Sequence, residues 1–433
     1  MMKLMVIVVL VAISSQMSSA LPSGTHEEDD YDFGESNRAF AAAVYKELSK
    51  SEPSNFLTCP LSVQTVMALT SLGAKGDTAT EITRGLKLPS NQKLLKTIFR
   101  HLMPQLRGNE FYSLTSANKL FVNHNFKLKQ AYQDVARYIF DADVDTVDFS
   151  LNYEAARDIN DWVQDKTNNK IQEIISPEDL LKETKLVLAN ALHFKGKWQY
   201  PFDPVDTIKR PFYSEHKEPH NVDMMQLTDF FNYYENEELD AKFLELPYQG
   251  HDVSMVFVLP NKVDGLKRLE HRMEEVLQDQ PFKKQHVRIQ IPKFSMETTI
   301  KYKKILQDLG IHKVFTEHAD LSDITPDNNL QVNTVIQKTF INVTETGTEA
   351  AAATAINILE RIGEEEVFDA VPFIAEHPFL FALIMRSAPI DELVTTTSTS
   401  TTLEVSAAHI ESIEESTNKE ERVVFVGRYV QVK

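Results

Sequence analysis

Glu345-Thr346-Gly347-Thr348-Glu349-Ala350-Ala351-Ala352-Ala353-Thr354-Ala355 supports two opposed readings. Four consecutive alanines favour a helix, and composition alone leaves that reading open. The flanks favour a strand. Val335, Ile336, Phe340, Ile341 and Val343 come before it and Ile356-Asn357-Ile358-Leu359 after it, and apolar, β-branched runs suit a pleated sheet. With a period of two, one face is Thr348, Ala350, Ala352, Thr354, Ile356 and Ile358, and the other is Glu349, Ala351, Ala353, Ala355, Asn357 and Leu359. The first face carries no charge and begins small, so it would enter a sheet at little steric cost.

Around this stretch lies a chain of 433 residues, 42% hydrophobic and 25% charged, enough to bury a large core. Lys plus Arg is 45 against 63 Asp plus Glu, a formal charge of −18. Such a balance repels phosphate backbones and argues against a nucleic-acid partner. Only 13 residues are glycine, leaving little for phosphate-cradling loops. The single cysteine, Cys59, excludes an internal disulfide framework and a Cys-rich zinc site. The sequence contains no Gly-x-Ser-x-Gly elbow, no His-Glu-x-x-His helix and no Gly-x-x-x-x-Gly-Lys loop, and its 13 histidines are scattered. His193, inside an apolar run ending at Phe194, reads as a core residue rather than a ligand. An enzyme is the weaker reading.

Met1 to Ala20 has Lys3, an apolar run from Leu4 to Ile13 and the small residues Ser18-Ser19-Ala20, the pattern of a secretory signal peptide. The expected mature protein is soluble, secreted and extracellular, with no membrane anchor. Removing Lys3 takes the charge from −18 to −19. Residues 21–35, with His26-Glu27-Glu28-Asp29-Asp30-Tyr31-Asp32, read as an acidic flexible tail. Residues 36–433 read as one domain. Order is expected near Ser36, with Asn37 capping a helix whose Phe40, Val44 and Leu48 share a face. Helical periodicity returns over Tyr153 to Ile175. Strand-like runs include Val187 to Phe194, Val253 to Leu259, Val287 to Ile291 and Val423 to Val426. The mixture predicts an α+β fold. Thr395 to Thr402 is all Thr and Ser, and an acidic stretch follows it through Glu421. Neither can build a core, so residues 387–421 read as a hairpin insertion between two strands.

Longer motifs then converge. The opening stretch resembles the proximal hinge of the reactive-centre loop of serpins, the serine protease inhibitor superfamily. Asn190-Ala191-Leu192-His193-Phe194-Lys195-Gly196-Lys197-Trp198, with Pro201-Phe202-Asp203-Pro204 and Thr207, is similar to the serpin signature leading out of a central strand. Phe373-Ile374-Ala375-Glu376-His377-Pro378-Phe379-Leu380-Phe381 resembles the segment after the loop. Asp252 to Pro260, Ile291-Pro292-Lys293-Phe294 and Leu309-Gly310-Ile311 also fit, so the match runs from Ser36 to the C-terminus outside the insertion. The resemblance implies three β-sheets, about nine helices and an exposed loop over about residues 345–371. It implies a monomer that works without cofactor or metal and traps a protease by inserting its cut loop into the main sheet. Glu345, Gly347, Thr348, Glu349, Ala350, Ala351, Ala352, Ala353 and Thr354 would form the hinge. Cys59, Ser62, Asn190, Trp198 and Gln337 would form the region where the sheet opens.

In serpins the residue before the scissile bond usually lies fourteen positions after the hinge glycine. Counting from Gly347 gives Arg361, so the expected reactive bond is Arg361–Ile362. Arg361 is also the only Lys or Arg between Thr348 and Met385, the one residue there that a trypsin-like pocket would accept. Two positions depart from the family's pattern: Cys59 stands where serine is common before Pro60, and Gln337 where histidine is common. Glutamine can still hydrogen-bond Asn190 but cannot titrate near neutral pH. Lys93, Lys96 and Arg100 could share a helical face, yet three cations on an acidic chain read as solvated surface rather than a glycosaminoglycan site. The chain looks most like arthropod extracellular serpins, which implies immune, melanisation or anti-haemostatic control. A non-inhibitory serpin acting as carrier or storage protein is the alternative; the small, uncharged hinge face favours inhibition.

Overall fold

The computed structural model describes residues 31–214, 218–327, 329–348, 369–387 and 420–431. The first helix spans Phe33–Ser51 and buries Phe40, Val44 and Leu48 as their spacing predicts. It begins before Ser36, and Asn37 is not its cap. Asn37 lies within the helix, fully buried, where its Oδ1 accepts from the Val423 amide at 2.7 Å and its Nδ2 donates to Gln64 at 3.3 Å. The amide fastens helix to strand instead of satisfying the helix end.

Nine α-helices and fifteen strands are present among the described residues. The strands are β1 (Phe56–Thr58), β2 (Tyr112–Asn123), β3 (Ala142–Val147), β4 (Leu186–Lys197), β5 (Ile208–Phe212), β6 (His220–Asn236), β7 (Ala241–Pro247) and β8 (Val253–Pro260), followed by β9 (Lys283–Pro292), β10 (Phe294–Lys301), β11 (Thr334–Thr344), β12 (Gly347–Thr348), β13 (Val371–Ile374), β14 (Phe379–Ser387) and β15 (Glu420–Tyr429). One sheet has six strands in the order β10-β11-β12-β4-β2-β3; the other has nine, β1-β15-β14-β8-β7-β6-β9-β13, with β5 also on β6. Three sheets were expected. The second and third are hydrogen-bonded into one because β6 serves both, pairing with β9 over Met224–Tyr233 and with β7 over Asn232–Asn236.

The six-stranded sheet is covered on one face by the helix Asn152–Lys166, whose Ala155, Ala156, Ile159 and Val163 pack on Phe121, Val187, Ala189 and Ile336. The periodicity predicted a longer helix, to Ile175. It stops at Lys166, and Asn168 and Asn169 turn the chain with φ of 50° and 60°, a conformation asparagine tolerates. Ile171, Ile174 and Ile175 then reach the same core without being helical. The helix Pro60–Leu72 is buried along its whole length and touches β2 and β4 of one sheet and β15 of the other. An apolar surface all round suits that sandwiched position, and Pro60 at the first turn needs no amide partner there.

Candidate functional site

The site is a seam in the six-stranded sheet. In its lower part β11 and β4 run parallel and pair directly, from Thr334 opposite Val187 to Phe340 opposite His193. Above, β12 stands between them. Val343 pairs with Thr348 and Thr344 with Gly347 on one side; Gly347 pairs with Lys197 and Thr348 with Gly196 on the other. The short strand is antiparallel to both neighbours, so its backbone groups are taken up on both edges. Gly347 and Thr348, both in the expected hinge, thus stand as a short strand between β4 and β11.

Backbone geometry explains why residue 347 is glycine. Its φ is +145°, and a Cβ there would lie 2.1 Å from the Gly196 carbonyl oxygen and 2.8 Å from Lys197 Cα. Only a residue without a side chain lets the two backbones approach so closely. Thr348 is fully buried, and its Oγ1 lies 2.6 Å from the Tyr248 hydroxyl. Tyr248 stacks on Trp198 at 4.3 Å and meets Phe194 edge-on at 4.9 Å. Burial pushes the Tyr248 hydroxyl far above its ordinary pKa, so it remains a donor at any physiological pH. Trp198 ties the turn into the hinge: its indole N–H donates to the Thr344 carbonyl at 2.9 Å and its amide to Thr346 at 3.1 Å.

Glu345 anchors the hinge from outside the sheet. Its carbonyl accepts from the Phe202 amide at 2.9 Å. Its carboxylate pairs with Lys293 at 2.9 Å and accepts from the Thr207 hydroxyl at 3.0 Å. Burial alone would raise this carboxyl, but the hydrogen bonds from Lys293 and Thr207 and the Lys293 charge outweigh it and hold the group below its usual value.

A second polar cluster crosses the seam where β11 and β4 pair directly. Gln337 on β11 holds Nε2, with two hydrogens to give, within hydrogen-bonding reach of Asn190 Oδ1 at 2.8 Å, Ser62 Oγ at 2.9 Å and the Cys59 carbonyl at 2.9 Å. Its Oε1 accepts from the Cys59 amide at 2.9 Å and from Thr58 Oγ1 at 3.1 Å. Ser62 donates to Asn190 at 2.6 Å, and Asn190 passes the chain on to Asn118 at 2.7 Å. The cluster is buried throughout and links β11, the start of helix Pro60–Leu72, β4 and β2. Cys59 is buried, and desolvation pushes its thiol up to about 12; it is a packed core residue, not a thiolate nucleophile. His193 is also buried, beside the Phe340 ring at 6.1 Å.

The structure therefore brings Cys59, Ser62, Asn190 and Gln337 together and sets Glu345, Gly347, Thr348 and Trp198 in a second group higher on the seam. Glu349, Ala350, Ala351, Ala352, Ala353, Thr354, Arg361 and Ile362 lie outside the described residues, as do residues 388–419 of the expected insertion. At the root of that insertion β14 and β15 pair as far as Ser387 opposite Glu420. Tyr248 escaped sequence reading. It comes from the turn after β7, meets the hinge only through the fold, and belongs to no motif.

Comparison with known proteins agrees with this architecture. The family model described as "Serpin (serine protease inhibitor)" matches residues 35–390. The antitrypsin of Bombyx mori is 33% identical over 352 residues, covering 80% of this chain and 89% of the silkworm protein. The crystal structure of Serpin48, a highly specific serpin of the insect Tenebrio molitor, superposes with a TM-score of 0.80 at 35% identity, covering 95% of this chain and 100% of that one. Human thyroxine-binding globulin complexed with its ligand is similar at a TM-score of 0.77 and 25% identity, over 92% of this chain and 98% of that one. The chain belongs to the serpin family. Its relatives include a protease inhibitor by name and a hormone-binding globulin.

Proposed function

We propose that this serpin is a secreted suicide-substrate inhibitor of trypsin-like serine endopeptidases, cut at Arg361–Ile362. The protease's serine oxygen would bond to the Arg361 carbonyl carbon; the amide to Ile362 breaks, and its nitrogen leaves with the proton delivered by the protease's histidine. The freed hinge would then continue the strand that Gly347 and Thr348 begin, parting β4 from β11 and carrying the acylated protease along. Each added residue gains ladder hydrogen bonds on two edges, at about 1 kcal/mol net per bond. Pulling the protease out of alignment matters because a displacement of ~1 Å can cost a catalytic site ~100-fold, and its oxyanion donors no longer face the ester. The observation that carries this reading is the buried, uncharged Thr348 already seated between β4 and β11. Control of an extracellular immune, melanisation or anti-haemostatic protease cascade is the setting we infer.

Incubation with trypsin tests the proposal. An SDS-resistant complex is expected, with release of a fragment beginning at Ile362, and Arg361→Ala should form none. Cleavage without a complex would instead favour a carrier role, the second reading, which the likeness to thyroxine-binding globulin keeps in view.

A further inference from the structure

The outer face of the nine-stranded sheet has a charge pattern that the trapping mechanism does not use. Strands β6 and β9 pair antiparallel, with Thr228 opposite Arg288, Phe230 opposite His286 and Asn232 opposite Lys284. Their alternate neighbours Phe231, Tyr233, Val287 and Ile289 are buried, so these pairs point outward by the two-residue period. Phe230 is 45% exposed, and its ring lies 5.1 Å from that of His286. Lys284 and Arg288 are exposed and have no ion-pair partner among the described residues. Lys209 pairs with Asp223 at 2.8 Å and Lys293 with Glu345 at 2.9 Å, whereas Lys283, next along β9, and Arg210 on β5 are likewise exposed without an ion-pair partner among the described residues. In a chain of formal charge −18, Lys284 and Arg288 give this face local positive charge on either side of an exposed aromatic ring.

Their position adds meaning. On its other edge β9 pairs in parallel with β13, placing Pro372 beside Arg288. Val371, where β13 starts, lies nine residues after Ile362, and nine residues span at most ~32 Å fully extended. A protease domain of ~230 residues has a radius of gyration of about 17 Å. A protease held at Arg361–Ile362 is therefore close enough for its flank to reach this face.

We propose that Phe230, Lys284, His286 and Arg288 form a second docking surface, which receives an acidic patch beside the active-site cleft of the target protease. This rests on the reading of Arg361–Ile362 as the bond that protease attacks. Arginine and exposed aromatic side chains are the residues that most often carry interface energy, and local positive charge on an acidic protein selects an acidic partner and speeds its encounter. The reactive loop would supply the arginine, and the sheet face would choose among proteases that accept it.

Anionic and cationic trypsin share specificity for arginine but differ in surface charge, which makes them suitable probes. The double reversal Lys284→Glu/Arg288→Glu should slow covalent capture of anionic trypsin about ten-fold at low salt, with the difference collapsing at high salt. Capture of cationic trypsin should not slow, and Phe230→Ala should weaken capture of the anionic form. The double reversal Lys93→Glu/Arg100→Glu, on the helix Gln92–Gln105, makes the same change in net charge and is the control. The inference is overturned if Lys284→Glu/Arg288→Glu slows anionic trypsin no more than Lys93→Glu/Arg100→Glu does. Failure of the wild-type protein to form a covalent complex with either trypsin would point to the loop reading instead, so the two failures are told apart.

Discussion

The hydroxyl of Tyr248 and the hydroxyl of Thr348 lie 2.6 Å apart in the core, one from the turn after β7 and the other from the hinge. This contact joins the nine-stranded sheet to the hinge, and its loss is the mildest way to loosen β12. Tyr248→Phe keeps the stacking on Trp198 but leaves the buried Thr348 hydroxyl without its partner, at about 1–2 kcal/mol. Hydrogen exchange at the Gly347 and Thr348 amides should accelerate roughly ten-fold. Unchanged exchange would mean that the ladder alone holds the hinge.

Gly347→Ala should act through the backbone. The new Cβ would meet the Gly196 carbonyl, and an alanine at this φ is strained by about 1–3 kcal/mol. The expected outcome is a lower thermal midpoint with faster amide exchange at Gly196 and Lys197, because β12 leaves the seam.

Protonation should release the outer anchor. The Glu345 carboxyl is held below its ordinary value. Its pairing with Lys293 therefore stabilises the fold above the normal carboxylate range and is lost as the pH falls through the depressed value. Lys293→Ala should lower the thermal midpoint at about pH 7, and the gap between variant and wild type should close below about pH 4. A gap that persists in acid would show that Lys293 acts through packing.

Gln337→Ala would leave the buried Cys59 amide without an acceptor and remove one hydrogen bond each from Thr58, Ser62 and Asn190, which keep other partners. Each buried group left unsatisfied costs about 1–3 kcal/mol, so a fall of several degrees in the thermal midpoint is expected. Thermal scanning of the variant beside wild type measures it.

Cys59 should resist iodoacetamide in the folded protein at neutral pH and react once the protein is unfolded, because burial keeps its thiol protonated and only the thiolate attacks. Mass spectrometry of the alkylated protein, before and after denaturation, gives the answer directly.

Apolar patterning made the strand Val187 to Phe194 legible, and the resemblance to serpins, through the position where histidine is common, made the Gln337–Asn190 hydrogen bond legible. Tyr248 was invisible because it lies in no such pattern. Its place is set by a turn in which Gly250 and His251 take φ of 89° and 61° and by its isolated bridge to Trp198, both properties of the assembled fold. Asn37 was misread because a polar residue at the head of an apolar helix looks like a cap. Only the arrival of Gln64 and Val423 from elsewhere in the chain turns it into a buried fastening. The union of two expected sheets through β6 was likewise hidden, since no local signal states how many neighbours one long strand will have.

The parallel pairing of β11 with β4 below the hinge carries a liability of its own. On the proposed mechanism the seam parts for an extended segment, which it recognises by backbone, and backbone is the same in every copy of the molecule. Warming a concentrated sample would let one molecule's strand fill another's gap. Because that donor-to-acceptor contact is head-to-tail, the result would be open chains rather than closed dimers.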